Sequence, residues 1–139
     1  MKGRTYATAG AVAAAALAAV VAWMAWPEDH HPSHDGERAA ITIPPLSAEA
    51  TAGWALFEDN CMTCHGPHAT GSDQGPPLVH RIYEPNHHGD VSFRLAVRNG
   101  VRAHHWQFGN MPPVEGVSDE DAIKITRYVR ELQQANGIF

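Results

Sequence analysis

The longest uniform stretch of the hydrophobic pattern comes first. From Thr5 to Trp26 no charge interrupts a run dominated by alanine and valine. As a helix rising about 1.5 Å per residue it reaches roughly 33 Å, enough to cross the hydrocarbon core of a bilayer. Tyr6 lies near one end, and Trp23 and Trp26 near the other, where amphipathic rings favour the membrane interface. Lys2 and Arg4 precede the run and Glu28 and Asp29 follow it, an asymmetry that keeps the N-terminus inside. A cleaved signal peptide is the rival reading. The bulky residues of Ala22-Trp23-Met24-Ala25-Trp26 suit a cleavage site poorly. Residues 1–26 are therefore predicted to be a single-pass anchor that stays uncleaved.

From residue 27 to residue 46 the pattern loses its period. Pro27, Pro32, Pro44 and Pro45 stand among charges and histidines, a composition that buries no core. This stretch is predicted to be a flexible linker. His30, His31 and His34 make a metal-binding tract conceivable there, but a solvated tether explains them as well.

Helical periodicity takes over in residues 47–139. Ser47 is a suitable N-cap for a helix over about Ala48 to Asn60, with Glu49 in its first turn. Gly53 and Phe57 share one face of it. A mid-helix glycine costs about 1 kcal/mol against alanine, so the close approach of another helix is expected there. Asp90 or Ser92 is expected to cap a middle helix through about Asn99, with Phe93, Leu95, Ala96 and Val97 as its apolar content and Gly100 as its stop. Ser118 opens the last helix, followed at once by Asp119, Glu120 and Asp121. Ile125, Tyr128, Val129 and Leu132 fall at i, i+3, i+4 and i+7 and form a single buried stripe. Lys124, Arg127 and Arg130 fall outside that stripe and are expected to face solvent. Asn136-Gly137 ends the helix. No strand pattern competes, so the fold class is all-α.

Charge changes the picture little. The net charge of −5 argues against a nucleic-acid partner. All 15 acidic residues lie beyond the first apolar run, so the part that follows the anchor is the acidic part.

The chemistry sits in Cys61-Met62-Thr63-Cys64-His65, which reads C-x-x-C-H, the attachment signature of a c-type haem. Two thiols can add across the porphyrin vinyl groups, and the adjacent imidazole can reach the iron from the same turn. A thioredoxin-like redox pair would need a βαβ context. A zinc site would need further ligands, and these are the only 2 cysteines in the chain. In Gly75-Pro76-Pro77-Leu78, Pro76 keeps a free carbonyl, the kind of acceptor to which a ligand histidine donates its second ring nitrogen. Leu78 is the first apolar residue after the motif able to return to the haem. Met111 is followed by Pro112 and Pro113, which bar helix and pin the backbone beside the thioether. Trp106 is expected to pack on the haem or donate its N–H to a propionate. His80, His87, His88, His104 and His105 are rival ligands for the iron. His104 and His105 are adjacent, so their side chains are expected to diverge. Imidazole with methionine also suits copper.

The order of helix, C-x-x-C-H, Gly-Pro-Pro-Leu, middle helix, Met-Pro and amphipathic last helix resembles the class I cytochromes c over residues 47–139. The resemblance implies one covalent haem c on Cys61 and Cys64, with His65 and Met111 as the iron ligands. It also implies that the Pro76 carbonyl accepts from the His65 ring, and that Gly53, Phe57 and Tyr128 mark the crossing of first and last helices. With both axial positions filled the chain is expected to be no enzyme but an electron carrier. The expected partners are a donor complex and a terminal oxidase or reductase, met by a basic docking face. The expected place is the bacterial cytoplasmic membrane, with the haem domain on the periplasmic side. The alternative is a haem or copper sensor, or a metal-delivery module, built on the histidine pairs.

Overall fold

Ser47 opens the first helix: its hydroxyl accepts from the Ala50 N–H at 3.1 Å, and α1 runs Ala48–Asn60. The computed structural model describes residues 41–139. The Thr5–Trp26 run and the linker through residue 40 lie outside the described residues. A short helix, α2, follows at Met62–His65, and 3-10 turns occur at Pro67–Ala69 and Arg81–Tyr83. The middle helix α3 spans Asp90–Asn99 and the last helix α4 spans Asp119–Ala135. Among the described residues there is no strand. One isolated antiparallel bridge joins Val101 to Met111. The domain is all-α. No helix among the described residues is long and apolar enough to cross a membrane.

The core forms where α1 crosses α4. Ile125, Tyr128, Val129 and Leu132 are buried against Ala50 and Phe57, with Ala69 joining from the turn after α2. The Phe57 and Tyr128 ring centres lie 5.5 Å apart, tilted by 58°, within the range of favourable aromatic contact. Gly53 lies at the crossing itself, where the backbones come too close for any side chain.

Three expectations need correction. Arg130 does not face solvent; it is only 7% exposed. Its Nε donates to Asp90 Oδ1 at 2.8 Å, and one terminal nitrogen donates to Tyr83 O and Gln133 Oε1, each at 2.6 Å. The other reaches His88 O, and the guanidinium sits 4.8 Å from the centre of the Phe93 ring. The planar fork thus satisfies buried carbonyls that a loop cannot satisfy by itself. The cap of α3 is neither Asp90 nor Ser92 but Gly89, because the Asp90 carboxylate is committed to Arg130 and the Ser92 hydroxyl donates to Gly89 O. Finally, residues 41–46 pack with the domain although their composition reads as linker. The Thr42 N–H donates to Asn136 Oδ1 at 2.8 Å, Asn136 Nδ2 donates back to Thr42 O at 2.9 Å, and Ile41 and Leu46 lie on the core. Two prolines do not prevent a segment from docking when an asparagine at a helix end offers both halves of its amide.

Candidate haem site

Helix α2 carries Cys61 just before its first residue and Cys64 and His65 in its body. The helical turn sets both sulfurs and the imidazole on one short piece of backbone. Neither cysteine is in a disulfide. Burial, and to a lesser degree Cys64, push the Cys61 thiol up to about 11. A thiol raised in this way is not activated as the nucleophilic thiolate of a thioredoxin-type pair.

His65 is half-buried, and its Nδ1 lies 2.9 Å from the carbonyl oxygen of Pro76. With Nδ1–H donating, Nε2 keeps its lone pair. Burial holds the ring below the usual histidine range, against a smaller opposing effect of the Pro76 bond. The neutral ring is the form that binds a metal. Pro76 itself is held close by the chain that precedes it. The Ser72 hydroxyl donates to Cys64 O at 2.6 Å and its N–H to Gly75 O at 3.0 Å.

The turn after His65 is backbone under strain. His68 and Ala69 have φ of 53° and 59°, a region that residues with a side chain enter at a cost of about 1–3 kcal/mol each. Surrounding bonds impose it. Ala69 O accepts from the N–H groups of Leu78 and Val79 at 2.8 and 3.2 Å, and His68 Nδ1 lies 3.3 Å from the Tyr128 hydroxyl. Leu78 is half-buried against the core, and its carbonyl accepts from Gln133 Nε2 at 2.8 Å. The buried pair Arg130 and Gln133 therefore anchors the segment from Leu78 to His88. Spacing along α4 could hint at a shared face for these two, but their partners are loop carbonyls that no local pattern reveals.

Met111 lies at the neck of a loop closed by two bonds, Val101 N–H to Met111 O at 2.9 Å and Met111 N–H to Val101 O at 3.0 Å. Gly100 makes this neck possible: its φ is 72°, and a Cβ there would meet Met111 O at 2.5 Å. Trp106, half-buried on the same loop, has a buried Nε1 that makes no well-formed hydrogen bond among the described residues; the Tyr83 side chain is close to it but poorly placed as an acceptor. A buried indole N–H without an acceptor is rare in a finished structure.

The rival histidines contact nearby backbone and one another. His80 Nδ1 accepts from the Ile82 N–H at 3.2 Å, and its ring stands edge-on to Trp106 at 5.2 Å. His104 Nδ1 donates to Arg102 O at 2.8 Å. The rings of His104 and His105 do not diverge; their centres are 4.3 Å apart, and both neighbour His88.

These residues fit a covalent haem. Cys61 and Cys64 are free thiols at the attachment spacing, His65 presents a neutral nitrogen, and the Trp106 N–H has no well-formed bond to any acceptor, which a propionate would supply. A family model described as cytochrome c matches residues 50–133. Neither a curated protein nor a solved structure matches the chain.

Proposed function

The chain belongs to the cytochrome c family and binds haem c covalently, and we propose that it is a monohaem carrier with His65 and Met111 as axial ligands. Bound haem supplies a one-electron iron couple, and the family's domain typically works as an electron carrier. The observation that carries the reading is the C-x-x-C-H helix whose His65 Nδ1 lies 2.9 Å from Pro76 O. That carbonyl fixes the ring tautomer and makes Nε2 a better donor. Met111 is favoured as the second ligand because its backbone is held by two bonds to Val101 and pinned by Pro112 and Pro113, at the place where the resemblance puts the distal thioether. With both positions committed, none remains for a substrate.

The partners in this reading are a membrane donor complex and a terminal oxidase or reductase. The net charge of −5 favours partners with a basic docking face. The Thr5–Trp26 run holds the domain on the periplasmic side of a bacterial cytoplasmic membrane. Fractionation with N-terminal sequencing tests this; soluble protein that begins near Trp26 contradicts it.

Visible spectra of the oxidised and reduced protein test the ligands. The weak far-red band of oxidised, sulfur-ligated haem is expected in the wild type and lost in Met111→Ala, with a fall in potential. A wild type without that band, whose spectrum changes in His104→Ala or His105→Ala, is bis-histidine, and the proposal fails.

A further inference from the structure

Two segments distant in the chain bring three imidazoles together. His87 and His88 lie just before α3, and His105 lies on the loop closed by Val101 and Met111. One ring nitrogen from each falls within 4.8 Å of the other two. His87 Nε2 and His105 Nε2 are 3.4 Å apart. That is long for a nitrogen–nitrogen hydrogen bond, but close to the roughly 3.3 Å between two nitrogens on one tetrahedral metal with ordinary bond lengths.

The supporting bonds point the same way. His88 Nδ1 donates to Ile82 O at 2.6 Å, which leaves Nε2 as the free donor atom. Ligand imidazoles are commonly oriented in this manner by a carbonyl on the second nitrogen. His88 is further anchored at its own carbonyl by Arg130, so one arm of the cluster is built on the core. His87 and His105 are exposed, giving an ion a path in and room for water as a further ligand. Without a metal the arrangement gains little: the 3.4 Å contact is poor, and protonating any two of the rings would set like charges side by side.

We propose that His87, His88 and His105 bind one late first-row divalent metal ion, copper(II) or zinc(II), and so tie the segment before α3 to the methionine loop. An all-imidazole donor set selects these ions over magnesium or calcium. The proposal shares no residue with the haem ligands His65 and Met111 of the proposed function, and it rests on that reading only in requiring that His105 is not the sixth ligand.

The test is calorimetric titration of the full-length, haem-loaded protein with zinc(II) and copper(II) chloride, with magnesium chloride as control. His30, His31 and His34 are rival donors, so the titration is repeated on a His87→Ala/His105→Ala double variant and on a variant with alanine at those three positions. One equivalent of zinc or copper is expected in the wild type and in the triple variant. Affinity should fall at least about tenfold in the double variant, whose visible haem spectrum stays that of the wild type. With copper, the nitrogen splitting in the paramagnetic resonance spectrum should be lost with the same two histidines. Should the double variant not accumulate, His105→Gln alone is expected to show the same loss. Unchanged binding in the double variant or in His105→Gln, loss of binding only in the triple variant, or no preference over magnesium would each overturn the proposal.

Discussion

A Cβ atom added to Gly53 would stand 1.9 Å from the backbone carbonyl oxygen of Lys124. The helix crossing that carries the core is therefore set by the absence of one side chain. The obstacle is backbone, so it cannot rotate away. Gly53→Ala should lower stability although alanine is the better helix former. The loss expected is about 1–3 kcal/mol from forced separation, larger than the propensity gain of about 1 kcal/mol. Denaturant unfolding of the haem-loaded protein measures it, and a more stable variant would contradict the crossing.

Arg130 gives a second test. Removing it strips donors from Tyr83 O, His88 O, Gln133 and Asp90 at once. Tyr83 O keeps a bond from Gln133 Nε2 at 3.1 Å, and Asp90 is largely exposed, so part of the loss is recovered. Arg130→Met should cost about 1–3 kcal/mol. Arg130→Lys should recover little, since a single ammonium cannot span the fork. Hydrogen exchange should quicken in the segment from Leu78 to His88 before it does so in α1. Equal protection in both proteins would refute the anchoring role.

Covalent attachment is expected to be needed for folding. The buried apolar core is modest for a domain of this size, and the haem supplies interior that the chain lacks. Changing Cys61 and Cys64 together to alanine should leave little helix by circular dichroism and no haem on the polypeptide after denaturing electrophoresis. Native helix content without haem would be the contrary result.

Glu131 ties α4 to the start of α1. It accepts from the Ser47 N–H at 3.0 Å and the Ser47 hydroxyl at 2.7 Å, and Arg127 Nε donates to it at 2.9 Å. Burial alone would raise its pKa, but these donors outweigh burial and hold the carboxyl below the usual carboxylate range. A lowered folded-state pKa stabilises above the unfolded value, and that contribution is lost as pH falls through the folded one. Wild type should therefore exceed Glu131→Gln in stability at neutral pH, with the gap closing below about pH 4. A gap that is constant from neutral to acid pH would show that the charge is not what matters.

Much of the molecule is written in local pattern. The caps Ser47 and Ser118, the stop at Gly100 and the stripe Ile125, Tyr128, Val129 and Leu132 depend on residues within a turn or two of one another, so the sequence by itself determined those elements and the all-α class. The C-x-x-C-H motif is equally local, because both thiols and the imidazole must reach one porphyrin from adjacent backbone. The sequence could nominate Gly53 but could not name the Lys124 carbonyl as the group against it. Only the tertiary structure decided that Arg130 is buried, that residues 41–46 dock on Asn136, and that His87 and His88 meet His105. In each case the deciding partner is brought from far along the chain. Composition reads an arginine, a proline-rich stretch or a histidine pair as solvated. For Arg130, what overrides that default is the need to satisfy polar groups that the folded chain has already buried.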